Sequence, residues 1–202
     1  MTWYVMVFAV ALFAWAFAEA FSWPIAPDVA LASSVFLVPE AAVLLAVVTV
    51  GGSVIGGVTA MSAYRRGLRW PLPLVSDIMK SRVGRWLERG AVGLVNQPLT
   101  AVPYKAFVVE GARRGFVLFR WAALTAAFRG TRMLTVAIVT VLGSRLVVVL
   151  FPENVSQARF VVLAVGLVVF VVGWAVAWRV WATQAEEVKV RAGSSPLRTM
   201  RL

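Results

Sequence analysis

The chain has no cysteine and no histidine among its 202 residues. Without cysteine there is no disulfide, no thiolate metal ligand and no thiol nucleophile. Without histidine there is no Ser-His or Cys-His catalysis and no zinc site of the HExxH kind. Few membrane-enzyme mechanisms survive both losses, so the sequence points away from an enzyme and calls for no metal and no cofactor. Acid is scarce too: nine Asp and Glu stand against twenty Lys and Arg, a net charge of +11. Charged residues make up only 14% of the chain.

What fills the space is apolar. Hydrophobic residues reach 61% and the mean hydropathy is +0.85. An ordinary globular domain is about half apolar, so a bilayer is the expected solvent. The basic residues flank the apolar runs in loops, the pattern of cytoplasmic loops rather than of a nucleic-acid surface. No nucleic-acid partner is expected.

Residues 3–18 are uninterrupted apolar sequence ending at Glu19, a first membrane helix at the short end of the about 20 residues a span needs. The segment has no Lys or Arg ahead of its apolar run, which sets it apart from a cleaved leader. Residues 41–63 form a spanning helix carrying Gly51, Gly52, Gly56 and Gly57. Gly52 and Gly56 make a small-xxx-small pattern for close helix packing, which serves internal contacts or permits a homodimer. Residues 64–90 are rich in Arg and Lys, with apolar residues at helical spacing from Val75 to Leu87. They read as a cytoplasmic amphipathic helix lying on the membrane surface. One helix to about 128, a second at 131–150 and a last span at 158–182 follow, then a polar tail at 183–202. The basic loops place both termini in the cytoplasm.

Two stretches do not fit spanning helices. Residues 24–39, PIAPDVALASSVFLVP, are bounded by prolines and hold Asp28. Residues 92–108 are broken by Pro98 and Pro103 and hold Lys105. Both are too short to cross comfortably, and each suits a re-entrant hairpin, the first turning near Ser33 and Ser34. Corresponding broken segments in two halves of a chain are a pointer to a transporter site, here as a pseudo-inverted repeat. The expected fold is therefore all-α and polytopic, with spanning helices and two re-entrant hairpins in a single membrane domain over 1–182.

An unpaired charge within a bilayer costs roughly 2.5 to 3.5 kcal/mol on insertion scales. Glu19, Asp28, Lys105, Arg129 and Arg132 are therefore expected to converge, acids facing bases. Glu19 and Asp28 are candidates for exchanging protons, and Lys105, Arg129 and Arg132 for binding an anionic group. Asp28 also suits a helix N-cap after Pro27. Glu110 with Arg113 and Arg114 has the spacing of a local helical ion pair.

The order of these features resembles the DedA (VTT-domain) family of integral membrane proteins. An acid ends the first helix; PIAPD, VPEAAVLLAVVTVGGSVIGG, TAVPYKAF and RGTR follow. The PYK and RGTR pieces are similar to its YqaA-like branch, over about residues 15–150. The resemblance implies translocation of a phospholipid or polyprenyl phosphate across an inner membrane, coupled to protons, with Glu19 and Asp28 as the embedded acids. The family's two arginines flanking a proline are not matched: Thr100 and Lys105 stand around Pro103, leaving Lys105, Arg129 and Arg132 as substitutes. A small-ion or osmolyte carrier and an envelope scaffold are the alternatives.

Overall fold

The computed structural model describes residues 3–21, 26–67, 77–100 and 102–166, with a few single positions beyond. The described residues contain helices and turns and no strand. The helices are α1 (Trp3–Glu19), α2 (Pro27–Leu37), α3 (Ala42–Arg65), α4 (Asp77–Leu87), α5 (Tyr104–Arg113), α6 (Leu118–Leu150) and α7 (Val155–Gly166). Short 3₁₀ turns lie at Pro39–Ala41 and Ala91–Asn96. One compact unit runs to Leu163 and a second begins at Ala164. The expected tail at 183–202 and much of the expected span at 158–182 beyond Gly166 lie outside the described residues.

Among the described residues, two elements are long and apolar enough to cross a membrane: Pro39–Arg65, of 27 residues, and α6, of 33. At about 1.5 Å per residue, α6 is roughly 50 Å long, against a hydrocarbon layer of about 30 Å. Its outward residues Leu134, Ile138, Val139, Leu142, Leu146 and Val149 are exposed hydrophobics, as are Met6 and Val10 of α1 and Val47 and Ile55 of α3.

The helix directions follow from specific contacts. Asp28 pairs with Arg132, and Ser144 Oγ donates to Phe36 O, so α2 and α6 run the same way. Gly52 abuts Phe13 and Ala16, and Gly56 abuts Phe17, so α1 and α3 also run the same way. Arg65, at the end of α3, donates to Phe116 O just before α6, which makes α3 and α6 antiparallel. The chain must therefore reverse between Glu19 and Pro27 and again near Pro39.

Three expectations change. No turn occurs at Ser33 and Ser34: α2 runs through both, and Val38 N–H closes onto Ser34 O at 2.9 Å. Nothing between Asp28 and Val38 breaks a helix; Pro27 starts it and Pro39 ends it. The segment is thus one helix, running opposite to α1. Second, α6 is a single helix through Arg129-Gly130-Thr131-Arg132. A helical glycine costs only about 1 kcal/mol, less than the packing of a long helix returns. Third, the apolar face of α4 is not left for lipid. Met79, Val83 and Leu87 are buried where α4 packs on α5 and on the Ala91–Asn96 turn, and Trp86 stacks on Phe107 at 5.8 Å. Positions 68–76, part of the expected surface segment, lie outside the described residues.

Gly52 and Gly56 have a concrete role. A methyl group at Gly56 would stand 2.6 Å from Phe17 O and 2.8 Å from Phe17 Cα, and one at Gly52 would collide with Phe13 O. Both glycines let the α3 backbone touch α1 within one chain.

Candidate functional site

Glu19 is the last residue of α1. A carboxylate there meets the negative end of the helix dipole and needs a cation from elsewhere. Arg129, about three turns into α6, supplies it. Nη2 lies 2.6 Å from Glu19 Oε2 and Nη1 lies 3.4 Å from Oε1, a two-pronged contact of a kind that lysine cannot make. Glu19 is 5% exposed and Arg129 3%.

Tyr104 forms one wall. It opens α5 directly after Pro103, whose fixed φ suits the residue ahead of a helix. The Arg129 guanidinium carbon lies 4.6 Å from the centre of its ring, a cation–π contact. Its hydroxyl bonds to Thr125 Oγ1 at 3.0 Å and accepts from Trp121 Nε1 at 3.2 Å. Trp121, Thr125 and Arg129 are spaced four apart and share the buried stripe of α6. Lys105, also buried, follows Tyr104 and interacts electrostatically with Glu19.

Asp28 sits in the first turn of α2, where the helix dipole favours an acid. It is not the N-cap: Ala26 holds that position without a side-chain bond. Instead Asp28 Oδ1 accepts from Arg132 Nε at 2.6 Å. Arg132 Nη1 also donates to Pro98 O at 3.3 Å. One guanidinium therefore joins the start of α2 to the break in the second proline-interrupted segment. The pair is less enclosed than the first, with side-chain exposures of 29% and 15%.

The structure thus brings all five charged residues singled out in the sequence onto α6 and its immediate neighbours. Glu19 pairs with Arg129 and lies within electrostatic range of Lys105, and Asp28 pairs with Arg132. Tyr104, Trp121 and Thr125 were not anticipated as site residues, although the four-residue spacing of Trp121, Thr125 and Arg129 is visible in the sequence. Arg129 Nε is buried with no hydrogen-bond partner among the described residues, as are Gln97 Oε1 and Thr100 Oγ1 of the second broken segment. Unsatisfied buried groups of this kind are uncommon, and ordered water or a bound ion can satisfy them. No group of three or more acidic residues that could hold a metal occurs among the described residues. Glu110 pairs with Arg114 at 2.9 Å and with Arg113 at 3.4 Å, at the separations their spacing implies.

No protein family, curated protein or solved structure matches the chain.

Proposed function

We propose that the chain is a polytopic inner-membrane transporter of the DedA (VTT-domain) kind, translocating an anionic lipid headgroup of a phospholipid or polyprenyl phosphate with proton coupling. The observation that carries this reading is the Glu19–Arg129 pair: a buried two-pronged ion pair well inside an apolar helix long enough to span a bilayer. A soluble core rarely keeps such a pair, whereas charges at membrane depth commonly mark ion and substrate pathways.

In this reading α1 and α2 form the first re-entrant hairpin, with its tip between Glu19 and Pro27. The stretch broken around Pro98 and Pro103 forms the second. Both reach α6 near Arg129 and Arg132. Backbone that is not helical at that depth requires cover from protein or a water-filled cavity. The chemistry is an exchange of partners. With both acids ionised, the two guanidinium groups are held by carboxylates. Protonation of an acid releases its arginine, and a phosphate oxygen takes the vacated fork, with Lys105 adding charge. Loss of the proton restores the carboxylate as competitor and expels the headgroup.

Reconstitution of the full chain in liposomes with fluorescent phospholipids tests this. Headgroup movement by the parent chain is expected, lost in Asp28→Asn and dependent on a pH gradient. Ion flux without lipid movement would instead make the chain a carrier of small solutes, and neither activity would leave a scaffold.

A further inference from the structure

A second basic site lies away from the paired charges. Where α4 packs on the end of α5, an open cleft of about 380 Å³ is lined by Lys80, Ser81, Gly84, Arg85, Glu88, Glu110, Arg113 and Arg114. Its volume falls within the about 300–1,000 Å³ of small-ligand pockets. Four cations face two acids. Glu110 is occupied in holding Arg114, whose Nη2 also donates to Gly84 O at 2.8 Å. That arginine is thereby fixed in orientation, one edge of its fork tied to the protein.

Arg113 is different. Its side chain is 68% exposed, and among the described residues it approaches Glu110 at 3.4 Å. Arg85 is exposed and forms no ion pair among the described residues. Gly84 contributes backbone alone to the wall; a methyl there would stand 3.4 Å from Arg114 Nη2 and 3.5 Å from Glu110 Oε1. The result is a recess with an excess of positive charge, two exposed arginines and no apolar side chain in its lining. Arginine forks match phosphate oxygens in geometry as well as charge.

The position of the cleft matters. α5 ends at Arg113, α6 begins at Leu118, and Arg65 at the end of α3 is bonded to Phe116 O between them. The recess therefore lies at the end of both helices long enough to span a bilayer, the level at which lipid headgroups would stand.

We propose that the α4–α5 cleft is a docking site for a phosphate-bearing anion, either a lipid headgroup or free phosphate. It is separate from the Glu19–Arg129 centre and does not depend on the chain being a transporter. Calorimetric titration of the purified full chain in neutral detergent tests it with three probes: dihexanoyl phosphatidic acid, inorganic phosphate and dihexanoyl phosphatidylcholine. Saturable binding of the phosphatidic acid is expected, weakened tenfold or more by Arg85→Gln with Arg113→Gln. The matched double change Arg66→Gln with Arg120→Gln, which removes equal charge from exposed positions outside the cleft, should leave it within twofold. Gly84→Leu, which fills the recess while keeping every charge, should also abolish binding. Inorganic phosphate binding as tightly as the lipid assigns the site to free phosphate; phosphatidic acid binding far more tightly assigns it to a headgroup. Absence of saturable binding by either, equal binding of the zwitterionic phosphatidylcholine, or equal loss in the two double variants would overturn the proposal.

Discussion

Arg129 and Glu19 are 110 positions apart in sequence, yet their side chains meet at 2.6 Å in a contact closed to solvent. The acid ends one helix, and the base lies inside another. The contact ties the end of α1 to the interior of α6.

The charges around this pair are unequal, and that gives an ordered prediction. Glu19 has two cations near it, Arg129 and Lys105. Glu19→Gln leaves two buried positive charges without an acid, whereas Arg129→Gln still leaves Lys105 beside the carboxylate. Stranding a buried charge costs about 3 to 5 kcal/mol. Glu19→Gln should therefore lower the melting temperature in detergent more than Arg129→Gln, and the double variant should recover part of the loss from Glu19→Gln. Equal effects of the two single changes would mean that Lys105 does not share the acid.

Glycine substitutions should separate by position. Gly56→Ala puts a methyl group against the Phe17 backbone, which cannot swing aside, and overpacking of this kind typically costs 1 to 3 kcal/mol. Gly51→Ala and Gly130→Ala have nothing within 4 Å of the new methyl, and removing a helical glycine should stabilise by about 0.5 to 1 kcal/mol. Thermal unfolding of the three variants reads the difference. Similar melting temperatures for Gly51→Ala and Gly56→Ala would contradict the close approach of α1 and α3.

The sequence was most informative where composition acts locally. Prolines marked helix ends at Pro27, Pro39 and Pro103, and the bilayer-length apolar runs at α3 and in α6 stood out. The convergence of acids and bases followed from the cost of isolated charge. The place of the chain reversal did not, because nothing local distinguishes Ser33 and Ser34 as a turn from the same residues inside a helix; contacts with α6 decide it. The continuity of α6 was hidden by Arg129, Gly130 and Arg132, which look like a loop until the acids that pair with the arginines are known. Tyr104 was hidden for a related reason: its partners Trp121, Thr125 and Arg129 lie on another helix. The buried apolar side of α4 matched a lipid-facing side, since periodicity shows that a face is apolar and not what covers it.

Topology follows from the helix directions. α1 and α3 run the same way, so their first residues belong at one side of the proposed membrane, opposite the basic stretch after α3 and against the expectation that the N-terminus shares that stretch's side, with the reversal after Glu19 inside the membrane. Single cysteines at Trp3 and Glu40, in a chain that otherwise has none, should react with a membrane-impermeant maleimide from that side. A cysteine at Gly67 should react from the other. A cysteine at Phe21 should resist the reagent from the Gly67 side. Labelling of Phe21 from that side would mean that α1 and α2 each cross fully, and the first re-entrant hairpin would be lost.

Lys105 offers the sharpest separation of stability from function. Its side chain is fully enclosed, so its charge has been brought out of water at a cost that Arg129, already beside Glu19, does not help to offset. Glu19 keeps its pairing with Arg129 when the lysine charge is removed, so that acid is not stranded. Lys105→Gln removes the charge with a side chain of similar reach that can still hydrogen-bond. The melting temperature should stay the same or rise. In the proposed cycle, however, Lys105 supplies the positive charge that an incoming phosphate meets while Arg129 is still held by Glu19. Lipid movement in liposomes should therefore fall at least tenfold in Lys105→Gln, at undiminished stability. Lys105→Arg keeps the charge but adds bulk to a filled site, and should lose stability while retaining measurable transport. A Lys105→Gln chain that moves lipid like the parent would make this lysine a tolerated buried charge, and the headgroup would have to be bound by Arg129 and Arg132 alone.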